Sequence, residues 1–354
     1  MKIDVLVVGQ GLAGTILAQT LLQRGLKIAV VDKFRAETSS KVAAGLLNPV
    51  AGKRVSLSWK ADELAPFAFR FYQKFEQELS AQFFYPRPLV RLFSSFEDQN
   101  TWMGKSADPI LARFIGVTSD DCLPDQINKS FGAMQVNEAG FVDLKRMLSE
   151  FRKLLAEKEL LLDEDFDYPE LKLTETGATY RNLQATTVIF CEGYRVLQNP
   201  WFSWLPVVPT KGEVLDLENP GLNLSCLYNK AVYMVPLGPG KVRVGATYDW
   251  RNPTEEPTDA GREELTAKAQ DIVTLPLTVT AHKAGIRPAV RDRKPLVGRH
   301  PQHSQLVTFN GMGSKGVLMA PFFAHQLTEM LFSGGNLYRE VAISRYYSLF
   351  PASN

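Results

Sequence analysis

Residues 1–32 alternate two apolar runs with one glycine-punctuated break. Ile3-Asp4-Val5-Leu6-Val7-Val8 is apolar at every position but Asp4, the pattern of a strand buried in a parallel sheet. Gly9-Gln10-Gly11-Leu12-Ala13-Gly14 then predicts a tight turn into a helix over 15–24, with Gly25 as its left-handed stop. A second apolar run, Ile28-Ala29-Val30-Val31, ends on Asp32 and Lys33. Strand, turn, helix, strand and acid together make a dinucleotide-binding unit. In it Gly11 lets the backbone approach a pyrophosphate, Gly14 lets helix and strand pack closely, and Asp32 accepts hydrogen bonds from an adenosine ribose. The alternative is a glycine-rich turn in an unrelated α/β protein. Which dinucleotide binds is left open.

Further along, Ala43-Ala44-Gly45 closes a polar stretch with small residues that let another body lie against the backbone. Leu64, Phe67, Phe71, Phe75 and Leu79 recur at helical spacing between Trp59 and Phe83, and 88–96 alternates like a strand. Residues 97–129 are polar and poorly periodic. Asp143 reads as the N-cap of a helix that buries Leu144, Met147, Leu148, Phe151 and Leu155. A hairpin is expected over 172–185, turning at Thr176-Gly177. Thr187-Val188-Ile189-Phe190-Cys191-Glu192-Gly193 resembles another buried strand ending at a glycine. Strands over 211–217, 232–236 and 242–247 carry Pro/Gly punctuation that suits an antiparallel sheet, interrupted by a helix over 259–273. The expected class is α/β (α+β). A Rossmann-like domain (1–80, 137–205 and 285–354) is split by an inserted, mostly antiparallel β domain (81–136 and 206–284).

Near the end of the chain, Leu306-Val307-Thr308-Phe309 runs into Gly311-Met312-Gly313-Ser314-Lys315-Gly316 and then a helix over 317–332. No further strand with a terminal acid follows, so this is not a second complete dinucleotide unit. It is a helix N-terminus whose free N–H groups suit an electron-rich group, or else simple close packing of helix on strand.

Composition narrows the classes. A net charge of +2 gives no electrostatic case for a nucleic-acid surface. The cysteines at 122, 191 and 226 are odd in number and far apart, which argues against a disulfide framework or a zinc site, so no metal is expected and a reducing compartment is. No apolar run approaches the roughly 20 residues of a membrane span. The N-terminus lacks a signal-peptide pattern, and a cytoplasmic location is the expectation.

Taken in order, these stretches resemble the FAD-dependent D-amino-acid oxidase superfamily, with its glycine oxidase and sarcosine oxidase members. The resemblance runs nearly end to end. It rests on the first glycine turn with Asp32, on Ala43-Ala44-Gly45, and on Gly140-Phe141-Val142-Asp143-Leu144 and Lys211-Gly212-Glu213-Val214-Leu215. It continues through Tyr233-Met234-Val235-Pro236, Gly245-Ala246-Thr247, Ala284-Gly285-Ile286-Arg287-Pro288, Pro295-Leu296-Val297-Gly298 and the terminal glycine turn. It implies FAD, with the pyrophosphate at the first turn (Gly9, Gly11, Leu12, Ala13, Gly14). The isoalloxazine would lie near Ala43, Ala44 and Gly45 and the second turn (Gly311, Gly313, Ser314, Lys315, Gly316), with Glu192 and Gly193 close to the cofactor. It also implies hydride transfer from a substrate C–H to flavin N5, giving an imine that hydrolyses. Arg287 matches the arginine that pairs with the substrate carboxylate; the alternative is an ion pair with an acid such as Asp292. Tyr233 matches a substrate-facing tyrosine; the alternative is a core tyrosine bonded to backbone.

Three departures stand out. Ser314 replaces an arginine of glycine oxidase-like members, and Lys315 makes Gly-Ser-Lys-Gly, similar to the flavin domain of the bacterial tRNA methylaminomethyl-uridine enzyme. Glu192 replaces a small residue and has no assigned role. The terminal turn has no cysteine, so the expected FAD is non-covalent. The leading expectation is oxidation of a small amino acid or N-substituted glycine at its C–N bond, with Arg287, Tyr233 and Lys315 at the reaction. Electrons would pass to O2 or to another acceptor. The alternatives are a tRNA-modification flavoenzyme acting on a carboxymethylaminomethyl-uridine and a non-catalytic flavin-binding protein. The oligomeric state is not legible.

Overall fold

The computed structural model describes residues 1–51 and 55–351. Residues 52–54 and 352–354, which fall in the expected cofactor domain, lie outside the described residues. The central sheet runs in the order Leu161–Leu162, Ile28–Val31, Lys2–Val8, Leu183–Phe190, all parallel. The far edge of Leu183–Phe190 is shared: its first half takes Gly177–Tyr180 antiparallel, and its second half takes Leu306–Asn310 parallel. Helices Leu12–Gln23, Ala61–Leu79, Leu144–Glu157 and Gly316–Phe332 cover one face, burying among others Ile16, Leu64, Phe75, Phe151 and Phe323. Leu6, Val8, Val188 and Phe190 face the other way, against Phe202, Leu205 and Ile343. Helix 144–157 forms for the reason its sequence gives. Asp143 Oδ1 accepts from the Arg146 N–H at 3.0 Å, and all five predicted apolar residues are buried.

A second sheet of eight strands stands beside the first, in the order Thr278–Val290, Val207–Glu218, Lys241–Gly245, Tyr233–Gly238, Leu227–Asn229, Leu89–Leu92, Ala133–Val136, Ile115–Gly116. Val207 and Val290 belong to the core of the first sheet and Leu215 and Leu217 to that of the second, so this long antiparallel pair crosses from one core to the other. Helix Asp259–Gln270 packs Leu265 and Ala269 onto one face of the second sheet, and Trp102 and Leu111 cover the other.

Several expectations need correction. The first helix begins at Leu12, because Gly11 serves directly as its N-cap. The expected hairpin over 172–185 is a three-strand meander, turning again at Arg181-Asn182. The aperiodic stretch 97–129 includes most of helix Phe96–Ser106 and all of the short helix Pro109–Ala112. Each is capped locally, by Ser95 and Asp108, and each buries only one side chain, too few for a periodic pattern. Cys122 and Cys226 form a disulfide across 104 residues of sequence, with Cα atoms 5.6 Å apart. The Tyr228 hydroxyl also donates to the Cys122 carbonyl (3.1 Å), so the two segments meet through a tertiary contact that cysteine spacing does not record.

Candidate active site

A cavity of about 1090 Å³ lies between the two sheets. On its wall are Gly9, Gly11, Leu12, Ala13, Asp32, Lys33, Ala43, Ala44, Gly45, Glu192, Gly193, Tyr233, Arg287, Gly311, Gly313, Ser314, Lys315 and Gly316. Of the expected site residues only Gly14 is off the wall. A methyl group on Gly14 would overlap the Gly9 carbonyl oxygen, so its place is the close packing of helix on strand. A methyl group on Gly193 would meet nothing within 4 Å, and on Gly11 only the Ser40 hydroxyl at 3.3 Å, so both glycines border open space. The two glycine turns, their helix N-termini and a bare-backbone cradle share one cavity. These residues fit an extended dinucleotide.

The end near Asp32 is densely hydrogen-bonded. Asp32 Oδ2 accepts from the Gln10 N–H (2.8 Å) and Oδ1 from Arg152 Nη1 (2.9 Å), while Arg152 Nη2 donates to the Asp32 carbonyl (2.9 Å). Arg152 also pairs with Asp163 at 2.9 Å, and Arg35 pairs with Asp165. Burial pushes the Asp32 carboxyl above its ordinary value, against the pull of the Gln10 N–H and Arg152. Ser40 Oγ takes the Leu12 N–H at 3.0 Å, so one donor at this helix N-terminus is already engaged. The body that approaches Gly45 is the Val142 carbonyl, which a methyl group there would overlap.

Glu192 now has partners. The Tyr168 hydroxyl and Asn199 Nδ2 (2.8 Å) donate to its two oxygens. Burial nevertheless raises its carboxyl to about 7. Asn310 Nδ2 donates to the Gly193 carbonyl (2.8 Å), tying this segment to the second glycine turn.

At the opposite end Arg287 is half-buried. Asp292, the expected alternative partner, pairs instead with Arg345 at 2.9 Å. Among the described residues no carboxylate lies within ion-pair distance of Arg287. Its Nη1 donates only to the Lys211 and Thr247 carbonyls, at 3.3 and 3.4 Å, and its Cζ lies 6.0 Å from the centre of the Tyr248 ring. Burial lowers its pKa from the usual arginine value. The Tyr233 hydroxyl bonds to a side chain rather than to backbone, accepting from Asn48 Nδ2 at 3.1 Å. Lys315 Nζ donates to the Asn48 carbonyl at 2.9 Å, and burial lowers its pKa to about 8. Asn48 thereby links Tyr233 and Lys315. The sequence offered only a weak signal for it, an asparagine before Pro49 at the end of the small-residue loop.

Comparison with known proteins agrees with this geometry. The sequence profile described as "DAO: FAD dependent oxidoreductase" matches residues 4–330. The chain is 26% identical over 356 residues to the glycine oxidase of Bacillus licheniformis, covering 93% of each. It is 23% identical to the tRNA 5-methylaminomethyl-2-thiouridine biosynthesis bifunctional protein MnmC of Marinobacter nauticus, covering 92% of this chain and 55% of that protein. The crystal structure of iminodiacetate oxidase from Chelativorans sp. BNC1 superposes with a TM-score of 0.79 at 21% identity, covering 97% of this chain and 98% of that one. No helix among the described residues is long and apolar enough to cross a membrane. The profile match spans most of the chain and the cavity fits the cofactor that the profile names: the protein is an FAD-dependent oxidoreductase of the DAO family.

Proposed function

We propose that this enzyme oxidises the C–N bond of a small amino acid or N-substituted glycine. The observation that carries the reading is Arg287, a half-buried guanidinium on the cavity wall that faces only carbonyl oxygens and an aromatic ring. Burying a cation without a counter-charge is unfavourable, and a substrate carboxylate supplies that charge through a two-pronged contact. The two glycine turns and Asp32 would hold FAD without a covalent bond, and it would supply an acceptor for the hydride from the carbon attached to nitrogen, giving an imine that water hydrolyses. Arg287 orients the carboxylate. Tyr233, its hydroxyl held by Asn48, borders the same space. Lys315 is the group suited to receive a proton from the substrate ammonium, because hydride leaves more readily from a neutral amine and its own proton is held loosely.

The test is anaerobic mixing of the holoenzyme with glycine, sarcosine, iminodiacetate, D- and L-amino acids and proline, watching the visible flavin absorbance. Bleaching by one of them names the substrate class, and a repeat in air separates oxidase from dehydrogenase. A yellow, folded protein that none of them bleaches sinks the small-molecule reading.

A second reading has one observation in its favour. Tyr248 and Trp250 stand on the cavity wall with 66% and 59% of their surface exposed, which leaves room for a large planar substituent. A carboxymethylaminomethyl-uridine of tRNA is such a group and is itself an N-substituted glycine. The net charge of +2 stands against it. Bleaching by modified tRNA and not by small amines decides for it.

A further inference from the structure

Strand Val207–Glu218 carries Lys211-Gly212-Glu213, and only the middle residue of the three faces the cavity. In the pairing with Thr278–Val290, Thr210 lies opposite Arg287 and Gly212 opposite Gly285. Side chains alternate along a strand, so positions 210, 212, 285 and 287 share the cavity face, and Lys211 and Glu213 point away from it. The guanidinium of Arg287 lies on the bare backbone of Gly212, where any Cβ would overlap it.

On the far face Lys211 Nζ lies 3.1 Å from Glu213 Oε1, with the side chains only 1% and 5% exposed. Glu213 also accepts from the Thr258 N–H and the Thr258 hydroxyl, both at 2.9 Å, and its Oε2 lies 2.8 Å from His282 Nε2. The loop 246–258 is held along its length by this strand. The Lys211 N–H donates to the Asp249 carbonyl (2.7 Å), and the Asp249 N–H returns a bond at 3.0 Å. The Thr247 N–H donates to the Glu213 carbonyl at 3.2 Å, and the Glu213 N–H donates to the Thr247 hydroxyl at 2.9 Å. The same loop then presents the Thr247 carbonyl and the Tyr248 ring to Arg287. A sealed ion pair is weak support for stability, because desolvation offsets most of its attraction.

We propose that Glu213 is a positioning residue for substrate recognition. With Lys211 it clamps loop 246–258 to the back of the strand, and the loop holds the Arg287 guanidinium on Gly212 in the orientation that receives a carboxylate. The proposal rests on the reading of Arg287 as the carboxylate receptor.

The experiment titrates the holoenzyme with acetate, a carboxylate without an amine, and reads the shift of the flavin spectrum. It then measures KM and the limiting rate of flavin reduction with whichever amino acid bleaches the parent enzyme. Glu213→Gln should retain FAD and weaken acetate binding about 10- to 100-fold, by analogy with the loss of residues that orient metal ligands. KM should rise by a similar factor while the limiting rate changes little, and Glu213→Asp should recover part of the loss. Acetate affinity in Glu213→Gln within about threefold of the parent overturns the clamp. Should Glu213→Gln fail to fold, Thr258→Val decides, since it removes one bond to the same carboxylate from the loop side. It is expected to weaken acetate binding, and unchanged affinity there is equally fatal. A parent enzyme blind to acetate would sink the Arg287 reading and this proposal together, whereas a responsive parent matched by both variants would sink the clamp alone.

Discussion

At the Asp32 end of the cavity three ion pairs join charges of opposite sign. Asp32 is paired with Arg152, Arg152 with Asp163 as well, and Arg35 with Asp165. At the Arg287 end two half-buried cations, Arg287 and Lys315, meet only carbonyl oxygens within hydrogen-bonding distance. A compensated site suits a neutral polar ligand such as a ribose, which needs acceptors held in place and no net charge. An uncompensated site suits an anion, because a bound carboxylate removes a desolvation penalty that the empty site carries. On the proposed reading, the contrast separates a place for the cofactor's sugar from a place for a substrate's charge.

The hardest blow to both ends at once is Gly11→Val. The turn holds the two ends in register, and a branched side chain at this position would enter the cradle beside Ser40. The expected outcome is a colourless protein, scored by flavin content after purification. A yellow, fully active variant would mean that the first turn does not hold the pyrophosphate. Next comes Arg287→Ala, which should leave FAD content intact and lower kcat/KM for carboxylate substrates by about 10³-fold, within the range for losing one partner of a buried charge pair. Equal losses on amines that lack a carboxylate would break the contrast between the ends. Lys315→Met tests the second cation. The parent's rate of flavin reduction should rise through a pH of about 8 as the amine loses its proton. The variant should lose that inflection and about 10² in rate at high pH.

How much of this was open to the sequence depended on distance along the chain. The first glycine turn, Asp32 and the Asp143 cap were legible because each acts on neighbours within one strand–turn–helix unit. Arg287 was legible only through its resemblance to a family pattern, and the guess that Asp292 might pair with it failed because Arg345, 53 residues further on, takes that carboxylate. Arg152 reaches Asp32 across 120 residues. Its only local mark is its place next to Phe151 and four residues after Leu148, where a charged residue borders a buried stripe. Asn48 joins Tyr233 and Lys315 from 185 and 267 residues away, and no periodicity reports such a junction. The helices at 96–112 were hidden for another reason: with one buried side chain each, they have almost no stripe to display.

Arg152→Met sharpens the comparison from its compensated side. It leaves Asp32 with the Gln10 N–H but without its cation, so the carboxyl should rise further and present a poorer acceptor. The expected effect is an FAD affinity weakened about tenfold, as for loss of one charge-assisted hydrogen bond, with the limiting rate of the fully loaded enzyme unchanged. Fluorescence titration of apoprotein with FAD reads it directly. An unchanged affinity would mean that Asp32 needs no help to hold the ribose.

The smallest effect concerns Glu192, an acid at neither pole, whose carboxyl burial raises from 4.5 to about 7. Between those two values the unfolded chain has already released this proton while the folded protein keeps it. The folded state therefore binds more protons there, and stability falls as pH rises. The fall starts near pH 4.5, is complete just above pH 7, and has a slope of at most about 1.4 kcal/mol per pH unit. Glu192→Gln cannot ionise and keeps a polar group facing Tyr168 and Asn199, so it should flatten this part of the curve and gain on the parent most clearly above pH 7. Urea unfolding of parent and variant holoenzyme at pH 5 and pH 7.5 measures the difference. Parallel curves would show that Glu192 stays ionised in the folded protein, placing a fixed negative charge beside Gly193 and making this part of the wall less suited to a pyrophosphate.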